Sequence, residues 1–111
     1  MIEKIILDYL TEHLDVPSGM ELPADPPDVF IVVEKAGSGV ENGIRRAMII
    51  VKSYGRSLLA AAELNEQVKA AMDELPDLDE VCSCWLNSDY NYTDPRQKRY
   101  RYQAVFDVTH Y

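Results

Sequence analysis

Two stretches of helical periodicity, each followed by two strand-like segments, limit what this chain can fold into. Residues 1–15 place Ile2, Ile5, Ile6, Tyr9, Leu10 and Leu14 at three- and four-residue steps, with Glu3, Asp8, Thr11, Glu12 and Asp15 on the polar side. Pro17, Ser18 and Gly19 stop this helix. Residues 57–75 repeat the pattern through Leu58, Ala61, Leu64, Val68, Met72 and Leu75. Ser57 is suited to capping this second helix, and Pro76 ends it. Residues 29–35 (VFIVVEK) are β-branched and apolar without strict alternation, the pattern of a strand covered on both faces or facing a partner chain. In residues 44–54, Ala47, Ile49 and Val51 alternate with Arg46, Met48, Ile50 and Lys52. Residues 79–86 read as a short strand. Residues 96–110 alternate Tyr100, Tyr102, Ala104, Phe106 and Val108 against Arg99, Arg101, Gln103, Val105 and Asp107.

The order helix, strand, strand, helix, strand, strand predicts an α+β two-layer sandwich. Its sheet is expected to have four strands, mostly antiparallel, with both helices packed on one face. The glycines of residues 36–43 (AGSGVENG) read as the turn of the first hairpin, and residues 87–95 (NSDYNYTDP) as a polar loop in the second. Pro23, Pro26 and Pro27 bar residues 16–28 from the middle of a sheet. Those residues read as a connecting arm that can add a short edge strand. At 111 residues the chain is expected to be one domain over residues 1–111, with a core of its own.

Charge narrows the function classes. Nineteen acids against eleven bases give a net charge of −8. That balance argues against a free-standing nucleic-acid binder and against attraction to anionic lipid. No apolar run is long enough to span a membrane. The N-terminal segment MIEKIILDYL carries acids and no small-residue cleavage site, so the chain is expected to stay in the cytoplasm where it is made.

The search for chemistry returns no catalytic constellation, metal site or cofactor motif. Cys82 and Cys84 read as two reduced side chains on one strand, since a bridge between them would be strained and no further pair completes a four-ligand set. His13 and His110 lie at opposite ends of the chain. The GSG of residues 37–39 lacks the Lys-Ser/Thr pair and following helix of a phosphate loop. Asp89, Asn91 and Thr93 lack the rest of a calcium loop, so the acids there read as solvated.

The bases are uneven. Residues 1–44 hold nine acids and two bases, whereas residues 94–101 hold four bases and one acid. Arg45 and Arg46, and then Arg96, Lys98, Arg99 and Arg101, are candidate contacts to an acidic surface of another copy. The bland alternative is a solvated strand face. Opposite charges on one small domain suit head-to-tail association, which makes rings when the rotation closes. Tyr90 and Tyr92 are further interface candidates, because tyrosine buries a large ring and keeps a polar tip. Tyr100 and Tyr102 fit either an interface or the core beneath a helix.

The segments SYGRSLLAAAELNEQVKAAM, LNSDYNYTD and YRYQAVFDVTHY resemble the tail-terminator (tail-completion, head–tail joining) proteins of long-tailed double-stranded DNA bacteriophages and prophages. So does the opening IEKIILDYLTEHLDVPSGMELPADPP followed by VFIVVEKAGSG, and the resemblance spans essentially the whole chain. It implies a structural protein of α+β fold with no catalytic residues. It also implies a self-assembled ring, usually hexameric, at the head-proximal end of the tail tube. Such a ring ends tube polymerisation, docks the head-completion protein and lets DNA pass through its lumen without specific binding. The expected location is the virion tail, assembled in the bacterial host cytoplasm. The turn at 36–43 and the loop at 87–95 are the implied contact surfaces. The acid surplus could line a lumen and repel DNA. Two alternatives stay open: a head-completion, connector or minor capsid protein, and a small cytoplasmic α+β ligand-binding domain or enzyme. The last would need a concave pocket with convergent polar groups.

Overall fold

The computed structural model describes residues 1–97 and 99–111. Its elements run α1 (Ile2–Leu14), β1 (Ser18–Gly19), β2 (Phe30–Glu41), β3 (Ile44–Gly55), α2 (Leu58–Asp73), β4 (Val81–Asn91) and β5 (Tyr100–His110), with a 3₁₀ turn at Leu75–Asp77. The class is α+β, but the sheet has five strands and is mixed, in the order β1-β2-β3-β5-β4. The strands from β2 onward pair antiparallel. The fifth, β1, pairs parallel with β2 through Ser18 opposite Ile31 and Gly19 opposite Val32.

That strand is built from residues that stop α1. Asp15 takes a left-handed conformation, φ 50, at the helix C-cap. The turn it makes carries the Pro17 carbonyl to the Ile31 N–H, 3.0 Å away. The three prolines that follow then hold the arm out of the sheet.

Both helices lie on one face. Ile6 and Leu10 of α1 and Val68 and Met72 of α2 are fully buried, against Ile31, Val33, Ile49, Val51, Ala104 and Val108 of the sheet. Each such side chain contributes roughly 1.5–3 kcal/mol by leaving water. Tyr9 ties the helices together, its hydroxyl donating to the Ala71 carbonyl at 2.6 Å. Ser57 caps α2 by accepting from the Ala60 N–H at 3.0 Å. β3 reaches α2 through Gly55, where a Cβ would stand 2.5 Å from the Ala61 nitrogen. No helix among the described residues is long and apolar enough to cross a membrane.

Two expectations about the connections are corrected, and the place of two tyrosines on β5 is resolved. The first turn is Asn42–Gly43, whose φ values of 52 and 78 suit a two-residue hairpin turn. Gly37 and Gly39 belong to β2, which runs on to Glu41 past a bulge between Lys35 and Gly37. Residues 87–91 are strand rather than loop, since β4 pairs with β5 as far as Asn91 opposite Tyr102, with bulges at Val81/Ser83 and Leu86/Ser88. A strand at the sheet edge with one face toward solvent tolerates those polar side chains. Lastly, Tyr100 is exposed and Tyr102 half-buried, so the core positions of β5 are Ala104, Phe106 and Val108.

Candidate functional site

The sheet's second face carries no helix. Strand registers set its side chains in rows across β2, β3, β5 and β4. One row is Gly39, Arg46, Thr109 and Ser83, and the next is Gly37, Met48, Asp107 and Trp85. Glu34, Ile50, Val105 and Ser88 follow, then Val32, Lys52, Gln103 and Tyr90. The far end holds Phe30, Tyr54 and Arg101. There Leu22 of the arm covers Phe30, Val32 and Tyr54, which are all buried. The near end is bare: Trp85 is 70% exposed and Met48 40% exposed. The two rows nearest the hairpin tip line a groove of about 920 Å³, walled by residues 36–41 of β2, by Asn42 of the turn and by Ile44.

The sequence-derived candidates separate into two groups. Arg45 and Arg46 stand at the hairpin tip; Arg46 is held by Glu41, and Arg45 has no ion pair among the described residues. Arg99, Arg101, Tyr90 and Tyr92 gather at the far end, near Tyr54, a residue the sequence reading missed. Arg99 lies over the Tyr54 ring at 5.4 Å and donates from Nη2 to the Pro27 carbonyl at 2.8 Å. Arg101 lies over the Tyr92 ring at 4.6 Å, and it donates to the Tyr92 carbonyl at 2.6 Å and to the Tyr54 hydroxyl at 3.2 Å. Tyr90 meets Tyr92 edge-on at 5.9 Å and accepts from Gln103 at 2.7 Å. Arg99 and Arg101 thus make contacts within the chain that hold the arm and the end of β4, and neither has an ion pair among the described residues. Arg96 is exposed, with its backbone N–H on Asp94 at 2.9 Å. Lys98 lies outside the described residues.

The acids are not concentrated on the open face. Of its charged residues, Glu34 pairs with Lys52 at 2.9 Å, and Asp107 accepts from Asn87 at 3.1 Å. Asp89 is not simply solvated: it accepts from Asn65 at 2.8 Å and Lys69 at 3.0 Å, tying β4 to α2. The hydrogen bonds that Lys69 donates to Glu66 and Asp89 raise its pKa and hold it charged.

The cysteines divide. Cys82 is exposed at a bulge, while Cys84 packs against the core, where burial, then Asp73 and Asp107, push its thiol up to about 12. β5 sets His110 opposite Val81, yet no hydrogen bond joins it to either thiol among the described residues; its Nδ1 lies 3.2 Å from the Tyr111 carbonyl. His13 stacks on Tyr9 with ring centres 4.0 Å apart. No group of three His, Cys, Asp or Glu side chains is placed to hold a metal among the described residues.

The sheet also ends in two unpaired borders. On one side no described strand pairs with β2 beyond Val32; on the other none pairs with the outer side of β4. Trp85 and Met48 were not among the expected contacts, whereas Gly37 and Gly39 fall in the implied contact segment 36–43 but on a strand and not in a turn. The signals available were the single tryptophan of the chain and glycines in excess of what one turn needs. Comparison of the chain with protein-family models and with curated proteins returned no match.

Proposed function

We propose that this chain is a structural assembly subunit of tail-terminator type. Copies join edge to edge into a ring that caps the tail tube, ends its polymerisation and docks the head-completion protein. The observation that carries the proposal is the pair of open borders. β2 and β4 lie at opposite sides of the sheet and run antiparallel to one another. The outer edge of β4 in one copy therefore meets β2 of the next in the antiparallel sense that the sheet already uses. An unpaired strand edge offers its N–H and C=O groups to another chain. Two unlike borders make the contact heterologous, and such contacts close into rings when the rotation permits. The ring has a near-neutral sheet face, and the acid surplus lies on the helices and arm.

The test uses the backbone. The Ile31 N–H points outward, toward Pro17, and alternation along β2 turns the Lys35 N–H outward as well. Lys35→Pro thus removes no ladder bond within the chain but blocks the border. Lys35→Ala controls for the contact of Lys35 with Glu3 at 3.6 Å. Lys35→Ala is expected to form rings on tail-tube ends as the parent does, and Lys35→Pro to stay monomeric. Equal assembly by both variants would refute edge-to-edge joining.

A further inference from the structure

We propose that the open sheet face is a second self-association surface, on which two copies pack face to face about a two-fold axis. The surface uses the sheet's face and leaves its borders free, so it stands apart from ring assembly.

The glycines supply the first argument. Gly43 has φ 78 at the turn, Gly55 abuts the backbone of α2, and Gly19 is crowded by the Glu21 carbonyl and the Phe30 ring. Gly37 and Gly39 share none of these reasons: neither has a left-handed φ, and a Cβ at either would meet nothing within 4 Å. Glycine inside a strand weakens it, and it commonly marks a place where another group approaches the backbone. On the open face these two positions form a depression beside Met48, within the groove.

The knob for that depression lies on the same face. Gly37 and Trp85 end one row, at opposite sides of the sheet, with Met48 and Asp107 between them. A two-fold axis parallel to the strands turns the second sheet over and exchanges its sides. Each Trp85 then stands over the partner's Gly37, and each indole fills the gap that the missing side chain leaves between sheets about 10 Å apart. The same operation sets the partner's Asp107 over Met48, in reach of Arg46 one row away, so the opposite charges meet twice. Self-complementarity of this kind, knob to hole and hole to knob, is what a two-fold contact requires.

The area sets the strength. From Arg46 to Ile50 the bare face measures roughly 14 Å by 20 Å. About 280 Å² in projection falls well short of the ~800 Å² per partner of tight complexes and suits a weak, reversible pair. A second copy is therefore expected to dissociate on dilution.

The single tryptophan reports directly. Sedimentation velocity and tryptophan emission would be followed on the full chain from low micromolar to millimolar concentration. The expected result is a monomer–dimer equilibrium in which emission shifts to the blue and acrylamide quenching falls as dimer forms. Gly37→Val should weaken the dimer at least tenfold while the unfolding midpoint holds or rises, because the added side chain meets nothing within the monomer. Trp85→Ser should weaken it similarly. A monomer throughout, a dimer whose Trp85 stays fully quenchable, or a Gly37→Val protein that dimerises like the parent would each overturn the proposal. A ring-sized species with Trp85 still exposed would overturn it while leaving ring assembly standing.

Discussion

Gly55→Ala and Gly37→Ala make the same chemical change on the two strands of one hairpin, and they should act in opposite directions. At Gly55 the new methyl would stand 2.5 Å from the Ala61 nitrogen and 2.9 Å from the Ala60 carbonyl carbon, against an ordinary contact of 3.4–4 Å. The obstacle is backbone, in the first turn of a helix whose Ala61 is fully buried. Relief requires β3 and α2 to separate by about 1 Å, at the upper end of the ~1–3 kcal/mol that overpacking costs. Replacing glycine returns ~0.4–1 kcal/mol through the unfolded chain. The net loss is about 2 kcal/mol, or roughly 8 °C in Tm for a domain of this size. At Gly37 no atom lies within 4 Å and the φ is not left-handed, so the gain stands alone, about 0.5 kcal/mol. Urea unfolding followed by helical circular dichroism measures both variants at dilutions where self-association is absent. A neutral Gly55→Ala, or a Gly37→Ala that loses stability, would refute the placement of α2 against β3 or of Gly37 in open space.

Two more outcomes concern the arm and the thiols. Arg99→Ala removes the charged hydrogen bond to Pro27 and the stacking on Tyr54, offset in part because Arg99 Nε has no partner among the described residues. Stability should fall by roughly 1–2 kcal/mol, and residues 20–28 should become more open to protease; unchanged stability with weakened self-association would return Arg99 to the interface. The folded state keeps the Cys84 thiol protonated up to about 12, whereas the unfolded chain releases that proton near 9.0. The stability this contributes is complete below pH 9 and is lost as pH rises toward 12, with Tyr9, raised chiefly by burial, acting in the same direction. Cys84→Ala should flatten that alkaline decline, and thiol reagents should modify exposed Cys82 promptly and Cys84 only on unfolding.

Much of the layered fold was legible because burial imposes a period. Ala47, Ile49 and Val51 of β3 and the stripe from Leu64 to Met72 of α2 face the core as their spacing requires. Connections were less legible, because glycine signals two different things. Within residues 36–43, Asn42 and Gly43 alone have positive φ, while Gly37 and Gly39 leave space on a strand face, and composition does not separate the cases. The polar run from Asn87 to Asn91 looked like a loop because an edge strand need not alternate. The contacts of Arg99 and Arg101 were not legible, because nothing local reveals that a distant arm and Tyr54 fold onto them. Trp85 and Met48 came together only through strand register, which a residue count cannot supply.

Edge-to-edge assembly is tested most directly by electron microscopy and mass measurement of the chain mixed with tail tube protein. Ring-shaped caps at one end of tubes of limited length are expected, lost with Lys35→Pro and kept with Lys35→Ala. Tubes that lengthen without caps in the presence of the parent chain, or caps that form equally well with Lys35→Pro, would contradict it.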